Sequence, residues 1–525
     1  MALSRNVYRS LEDVVSSENV SEDPAMLQVY AFQPFGARGG VWTEFTPEAV
    51  VLPGSAEEVQ AIVKICNRHK IKFKALSTGW GAHNAPGVGG VVQLDLRRMN
   101  RILEIDEKNM YAVVEPYVIC AQLQVEAMKR GLNCHIIGAG SSTSALASAT
   151  SVVGYGPDGL IMGFSGRNVL GVEWVLPTGE ILKLGSLGSG AGWFCGDGPG
   201  PSLRGIMRGW EGAWGGLGVF TKCAVKLYHW PGPPTIQMKT TPASYVVETP
   251  LEDFKISLLS FPNLEKLTEA AYKIGEAEIG WWMARLSPSF TGLQMARGKE
   301  FYDLWKTGML QEMLKYALAL GIHGKSRKEF EYQKKALDEI LAETGGVVAP
   351  VGETPEMQSQ NATSALKIDT VTRSCFRPGG GFNTSFGAMD APDLAITQIK
   401  KGTKIKEKYI KRGLLMDDGA DNCATLLFEN GALGYTEVLI LFDHRDPESL
   451  KGAWEYLKET NEACIEYALG VPIFQLAQVG GEKHGVFGPA CSNYHIWLRK
   501  IKRAFDPNNA CDPTAYISPE EPERE

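Results

Sequence analysis

Residues 71–84, Ile71-Lys72-Phe73-Lys74-Ala75-Leu76-Ser77-Thr78-Gly79-Trp80-Gly81-Ala82-His83-Asn84, are the stretch whose reading decides the fold. A strand signal at 71–76 runs into a loop of small residues at 77–84. Small side chains let consecutive backbone N–H groups turn toward one point, and such a nest can hold a pyrophosphate. Most small-residue loops behind strands are only turns, and on pattern alone both readings stand. No helix signal follows the loop directly, so it is not the GxGxxG turn of a Rossmann unit.

A regular α/β pattern surrounds this loop. Upstream, Ser55 and Glu58 form a capping-box signature, and Val59, Ile62, Val63 and Cys66 recur at helical spacing. Downstream, strands are expected at 91–95, 102–106 and 110–115, and a helix from about 119 that stops at Gly131. Gly-rich turns fill 138–166. Strands near 172–176 and 181–184 flank the hairpin turn Pro177-Thr178-Gly179. A Gly-dense loop (185–200), a short helix (202–208) and a strand (218–228) complete the unit. Trp230-Pro231-Gly232-Pro233-Pro234 reads as a boundary. Beyond it, long helices near 250–272, 324–344 and 446–469 alternate with strands near 277–284, 373–386 and 435–442. Asp446 and Pro447 open the last of these helices. The expected organisation is a polar lead-in (1–45), a first domain (46–232), a second α+β domain (233–479) and a C-terminal segment (480–525) with a short helix at 498–505.

Composition narrows the function classes. A chain of 525 residues allows roughly two to four domains. Its net charge of −7, with no dense Lys/Arg block, gives no surface for nucleic acid. The ten cysteines contain no CxxC pair, which argues against a zinc ribbon or an iron–sulfur cluster and suits reduced thiols in a cytoplasm. We expect no signal peptide and no membrane span, since no stretch of about 18 apolar residues occurs.

Residues 50–227 resemble the FAD-binding domain of the vanillyl-alcohol oxidase and p-cresol methylhydroxylase flavoproteins. Val51-Leu52-Pro53, Glu57-Glu58-Val59, the 77–84 loop, Gly90-Val91-Val92-Gln93-Leu94-Asp95-Leu96 and Met99-Asn100-Arg101-Ile102 carry the likeness. Ala112-Val113-Val114-Glu115-Pro116, Gly138-Ala139-Gly140-Ser141-Ser142, Gly154-Tyr155-Gly156, Val172 to Glu180 and Leu217-Gly218-Val219-Phe220-Thr221 follow in order. The resemblance implies an α+β protein. A PCMH-type FAD-binding domain of two subdomains would be joined by an α+β cap over the substrate. It implies that Ser77, Thr78, Gly79, Trp80, Gly81, Ala82 and His83 surround the pyrophosphate. Pro116, Gly138, Ser141, Ser142, Gly154 and Val219 would line the rest of the FAD, although Pro116 and Val219 fit plain packing equally well.

The second half resembles the glycolate and D-lactate dehydrogenase branch. Phe376-Arg377-Pro378-Gly379-Gly380-Gly381, Phe442-Asp443-His444-Arg445-Asp446-Pro447-Glu448, Gly481-Glu482-Lys483-His484-Gly485 and Ala504-Phe505-Asp506-Pro507-Asn508 carry that likeness. It implies His484 as the base that takes an alcohol proton. Arg377 fits a bidentate partner for a substrate carboxylate and a structural ion pair equally well. Glu437 stands about where members acting on 2-hydroxy acids carry a metal-binding histidine, so no metal is expected and Glu437 is a further candidate base. Phe474-Gln475 replaces the Tyr-Arg pair of members acting on para-alkylphenols. The expected activity is oxidation of an alcohol or 2-hydroxy acid by hydride transfer to the flavin. The competing readings are an alkylphenol or benzylic-alcohol oxidase, a non-redox transferase resembling alkyl-glycerone-phosphate synthase, and a flavin-holding subunit that is not itself a catalyst. With no NAD fingerprint, O2, a quinone or a separate electron-transfer subunit is expected to take the electrons, and the chain is expected to form a homodimer. Family members that attach FAD from this loop place the histidine about two residues before His83. Purified protein should therefore be yellow, with one FAD per chain, and acid precipitation should leave the flavin in the supernatant. A yellow pellet would show a covalent bond, and a colourless protein that takes up no FAD would overturn the cofactor reading.

Overall fold

In the first of three main sheets, Lys72–Leu76 and Ala49–Val51 flank Val91–Asp95 in parallel, and Val20–Ser21 closes one edge antiparallel. The computed structural model describes residues 3–33, 41–42, 45–79, 84–138, 140–151, 154–190, 192–193, 202–207, 215–240, 245–248, 251–285, 287–296, 298–366, 381–421, 423–443, 445–469, 471–472, 492–512 and 517–519. Helix Ala56–His69 covers the sheet. The Ser55 hydroxyl accepts the Glu58 N–H at 3.1 Å, and the Glu58 carboxylate reaches back to the Gly54 N–H at 2.7 Å. The expected capping box is present, with its return bond one residue earlier. Val59, Ile62, Val63 and Cys66 pack on Phe73, Val92 and Leu94.

The lead-in differs from its expected character. Arg5–Val15 and Pro24–Tyr30 are helices, and Val7, Leu11 and Val15 are buried in the same core. Three apolar residues four apart make a stripe wide enough to dock a helix whose other positions are polar. Average polarity hid that stripe.

The second sheet runs in the order Ile181–Lys183, Val169–Val175, Val219–His229, Tyr111–Val114, Ile102–Asp106, with Leu132–Cys134 on the far end of the Val219–His229 strand. The expected hairpin is present, with Gly179 at φ +89° and its N–H on the Leu176 carbonyl. Trp174 ties the sheet to the end of the chain. Its indole N–H donates to the Leu217 carbonyl at 2.7 Å, and its ring stacks on Phe505 at 5.4 Å.

The third sheet has eight strands: Val347–Val348, Phe254–Ser260, Ala317–His323, Trp282–Arg285, Cys423–Phe428, Leu433–Phe442, Gly381–Asp390 and Val471–Pro472. Helices Leu264–Glu276, Arg327–Thr344, Pro392–Lys411 and Pro447–Glu466 cover one face through two or more clusters of buried side chains. The helix expected at 250–272 is a strand followed by a helix. Ile256, Leu258 and Leu259 fit either period over so short a window, and Pro262-Asn263 stops the strand. Asn263 then caps the helix by accepting the Lys266 N–H at 2.8 Å. Helix Pro392–Lys411 was not anticipated, because its buried face includes Gln398 and Lys406, the latter bound to Asp418 and to the Leu439 carbonyl. The strand expected at 373–386 is described only as Gly381–Asp390.

This sheet seats on the second one through backbone bonds. The Met283 N–H donates to the Pro157 carbonyl at 2.9 Å, and the Asn430 N–H to the Leu160 carbonyl at 2.8 Å. Near the joint, the His323 ring lies 5.2 Å from Trp281 and 5.8 Å from Trp230. Burial pushes its pKa down to about 4, with Lys325 adding a smaller push. Above about pH 6.5 the imidazole is neutral folded and unfolded, so stability is full there. As pH falls toward 4 only the unfolded chain takes up the proton, and roughly 2–3 kcal/mol is lost across that window. Melting temperatures measured from pH 7 to pH 4 should therefore fall less in His323→Phe than in the parent. Parallel curves would remove His323 from the account.

Candidate functional site

Loops from both smaller sheets meet at the C-terminal end of the Lys72–Leu76 strand. Ser77 and Thr78 are half-buried, and Gly79 turns with φ +74° while its carbonyl accepts the Asn84 side-chain amide. Across from it, Gly215 turns with φ +81°. Among the described residues, a Cβ on Gly79 would find a Leu76 methyl at 4.0 Å, and one on Gly215 the Ala75 carbonyl at 4.0 Å. Two left-handed turns with no closer described atom at their Cα atoms thus flank one strand end. Backbone donors at such a place suit a diphosphate.

The second wall is tied together residue by residue. The Ser144 hydroxyl donates to the Pro116 carbonyl at 2.5 Å, the Cys120 N–H to Thr143 at 2.8 Å and the Ala121 N–H to Ser141 at 2.9 Å. The 116–121 and 141–144 segments are therefore bound side by side. Ser144 also caps helix Ala145–Thr150. Gly138 is joined to the next turn by its N–H on the Tyr155 carbonyl. Gly154 is required by packing, because a Cβ there would lie 1.8 Å from an Ile137 methyl. The Val219 side chain is in the core with Val175, so only its main chain is available to a ligand.

Behind this wall lies a buried pair: the sequence offers His135 as a fallback base but does not show its partner. His135 Nδ1 sits 2.7 Å from Asp158 Oδ1, and Asp158 Oδ2 accepts the Ile136 N–H at 2.9 Å. The pair binds the run into Gly138 to the turn that carries Gly154. Its members are 23 residues apart and neither stands in a motif. The neighbouring thiols are inert: burial pushes Cys120 up to about 12 and Cys134 well above its usual value, which leaves no thiolate near neutral pH.

The third sheet forms the roof. Tyr435 stacks on Tyr155 with ring centroids 4.5 Å apart, and its hydroxyl donates to Glu437 Oε2 at 2.6 Å. Residues two apart share a face of the sheet, so Glu437 lies on the same side as this stack. Its register partners are Gly387 and Ala424. Trp80, Gly81, Ala82, His83, Arg377, Phe474, Gln475 and His484 lie outside the described residues. Among the described residues no group of three or more His, Cys, Asp or Glu is placed to share a metal ion.

Residues 47–185 match the family described as FAD binding domain. This stretch is an FAD-binding domain. The glycine turns, with their backbone donors, fit that cofactor's diphosphate. D-lactate dehydrogenase of Anaerostipes hadrus is 26% identical over 340 residues, 63% of this chain and 65% of the relative. Glycolate oxidase subunit GlcD of Bacillus subtilis is 29% identical over 227 residues, 43% of this chain and 45% of the relative. The chain thus spans less than two thirds of the length of these two. An FAD-linked oxidoreductase of Mycobacterium tuberculosis is 24% identical over 473 residues, 89% of this chain and 90% of the relative. Among solved structures, 4-ethylphenol oxidase from Gulosibacter chungangensis superposes with a TM-score of 0.76 at 21% identity, over 98% of this chain and 97% of that one. p-Cresol methylhydroxylase gives 0.73 at 19% identity over the same shares. The chain therefore has the PCMH-type fold, an FAD-binding domain beneath an α+β cap. No described helix is long and apolar enough to cross a membrane.

Gly79 offers the sharpest test of the FAD-binding turn. A β-branched residue at φ +74° costs of order 1–3 kcal/mol in backbone strain. Gly79→Val should weaken FAD binding by roughly tenfold or more, measured by flavin fluorescence on titrating apoprotein. Unchanged affinity would move the diphosphate away from this turn.

Proposed function

We propose that the chain is an FAD-dependent oxidoreductase that oxidises an alcohol or 2-hydroxy acid. Bound FAD supplies the two-electron acceptor that takes the hydride. The chain's own groups hold the substrate and move its proton. The observation that carries the reading is the roof, where a half-buried carboxylate, Glu437, stands beside a tyrosine stack that joins cap to FAD-binding domain. Glu437 is assigned the role of accepting a hydrogen bond from a substrate hydroxyl. His484 is assigned the proton of that hydroxyl, and Arg377 the carboxylate of a 2-hydroxy acid. The D-lactate and glycolate relatives support this substrate class. Oxidation then removes a hydride from carbon and a proton from oxygen, leaving a carbonyl.

Oxidation of an alkylphenol is the second reading, favoured by the two phenol-oxidising enzymes of the same fold. Phe474-Gln475 at the phenolate-holding place speaks against it. The electrons are assigned to O2, a quinone or a separate electron-transfer subunit, and we place the protein, as a homodimer, in the cytoplasm. Anaerobic mixing with 2-hydroxy acids, benzylic alcohols and alkylphenols separates the readings. Bleaching by hydroxylated substrates supports the proposal, bleaching by alkylphenols alone supports the second reading, and no bleaching by any of them counts against both. Glu437→Gln keeps an acceptor for Tyr435 but removes the charge. We expect Glu437→Gln to reduce its flavin about 10–100 times more slowly with FAD content unchanged, and His484→Ala about 10²–10⁴ times more slowly. Parent-like stopped-flow rates would leave these residues as packing groups.

A further inference from the structure

A segment from the far end of the chain lies along the open edge of the first sheet. The Phe73 N–H donates to the Ala510 carbonyl at 2.8 Å, and the Asp512 N–H to the Phe73 carbonyl at 2.9 Å. Residues 510–512 thereby add in parallel beside Lys72–Leu76 and cover its edge. The Asp512 side chain reaches on from there. Its Oδ2 accepts the Gly87 N–H at 2.8 Å and lies 3.6 Å from Lys74 Nζ, which donates to the Ala85 carbonyl at 2.6 Å. Both side chains are almost fully buried. Burial pulls the Lys74 pKa down, and Asp512 opposes that pull. Each charge is tolerated inside because the other is present. Together they close the base of the loop whose outer turn is Ser77–Gly79.

The same segment grips the opposite turn. Lys502, fully buried on helix Tyr494–Phe505, donates to the Gly216 carbonyl at 2.8 Å and to Asp506 Oδ2 at 2.6 Å, and lies 3.4 Å from the Cys511 carbonyl. Three acceptors thus meet the three N–H bonds of the ammonium. Asp506 in turn accepts the N–H groups of Ala510 at 2.7 Å and Cys511 at 3.0 Å. One short piece of chain therefore bonds to the 215–218 turn at Gly216 and to the strand and the Gly87 return on either side of the Gly79 turn.

We propose that residues 502–512 are a clamp that sets the spacing of the Ser77–Gly79 and 215–218 turns for the FAD diphosphate, with Lys502 and Asp512 as positioning residues. The inference rests on the placement of the diphosphate between those turns. Weakening the clamp releases FAD by letting the turns separate.

The test measures three things in each variant: FAD affinity of the apoprotein, melting temperature with and without FAD, and visible circular dichroism of the bound flavin. In Asp512→Asn and Lys502→Met the Kd for FAD should rise at least tenfold, and the gain in melting temperature at a fixed FAD concentration should shrink. The flavin dichroism should also change. Lys500→Ala, an exposed position on the same helix, should match the parent. If both single variants fail to fold, Lys74→Met/Asp512→Leu removes both charges of the buried pair at once and carries the test. Melting temperatures that fall equally with and without FAD, at unchanged Kd and dichroism, would overturn the clamp and leave only packing. A parent protein that binds no FAD would instead overturn the underlying reading.

Discussion

The backbone ladder of the Val219–His229 strand is the constraint on which the site depends. It pairs with Val169–Val175 on one side, and with Tyr111–Val114 and then Leu132–Cys134 on the other. Each pairing fixes the start of a different loop. The 215–218 turn enters the strand directly, the Pro116 turn leaves Tyr111–Val114, and the run into Gly138 leaves Leu132–Cys134. A register shift of one residue would move all three walls and turn every side chain to the other face. The core around Trp174, Phe220 and Cys223 resists such a shift, because those side chains are almost fully buried.

The roof is joined by a different kind of contact. Backbone bonds, the Tyr155–Tyr435 stack, the contact of Phe428 with Tyr155 and the burial of Leu160 among cap residues connect the cap sheet to the 155–162 segment. Aromatic pairs of this kind contribute about 0.5–1.5 kcal/mol beyond the area they bury. The main chain there also allows no extra atoms: a Cβ on Gly156 would lie 2.2 Å from the Ile136 carbonyl, and one on Gly159 2.2 Å from the Phe428 ring. Close packing thus enforces position within the FAD-binding side at Gly156 and across the joint at Gly159, while the tyrosine pair links the two sides beside Glu437. Tyr155 serves both walls and roof, its carbonyl accepting the Gly138 N–H of the wall and its ring stacking on Tyr435 of the roof.

What was legible in the sequence follows the range of the interactions. The Ser55 cap, the Pro177–Gly179 hairpin and the Asp446 cap depend on neighbours within about five residues, and local pattern shows them. The Arg5–Val15 helix and the Phe254–Ser260 strand were misread because a few apolar positions over a short window do not fix a period. His135 with Asp158, Lys74 with Asp512 and Lys502 with the Gly216 carbonyl stayed hidden for a different reason. Their partners lie 23, 438 and 286 residues away, so no local pattern joins them. Of the three expected catalytic groups only Glu437 falls within the described residues, and it was found through a departure from a family pattern.

The central claim is that turns from two sheets hold one FAD beneath the cap. Amide hydrogen exchange of the apoprotein, with and without FAD, tests it most directly. The account predicts that FAD protects Ser77–Gly79, Gly138–Ser142 and 215–219 together, with Tyr435–Glu437 next. Protection confined to the helices that cover the far face of the cap sheet, or absent from the two glycine turns while FAD is bound, would contradict it.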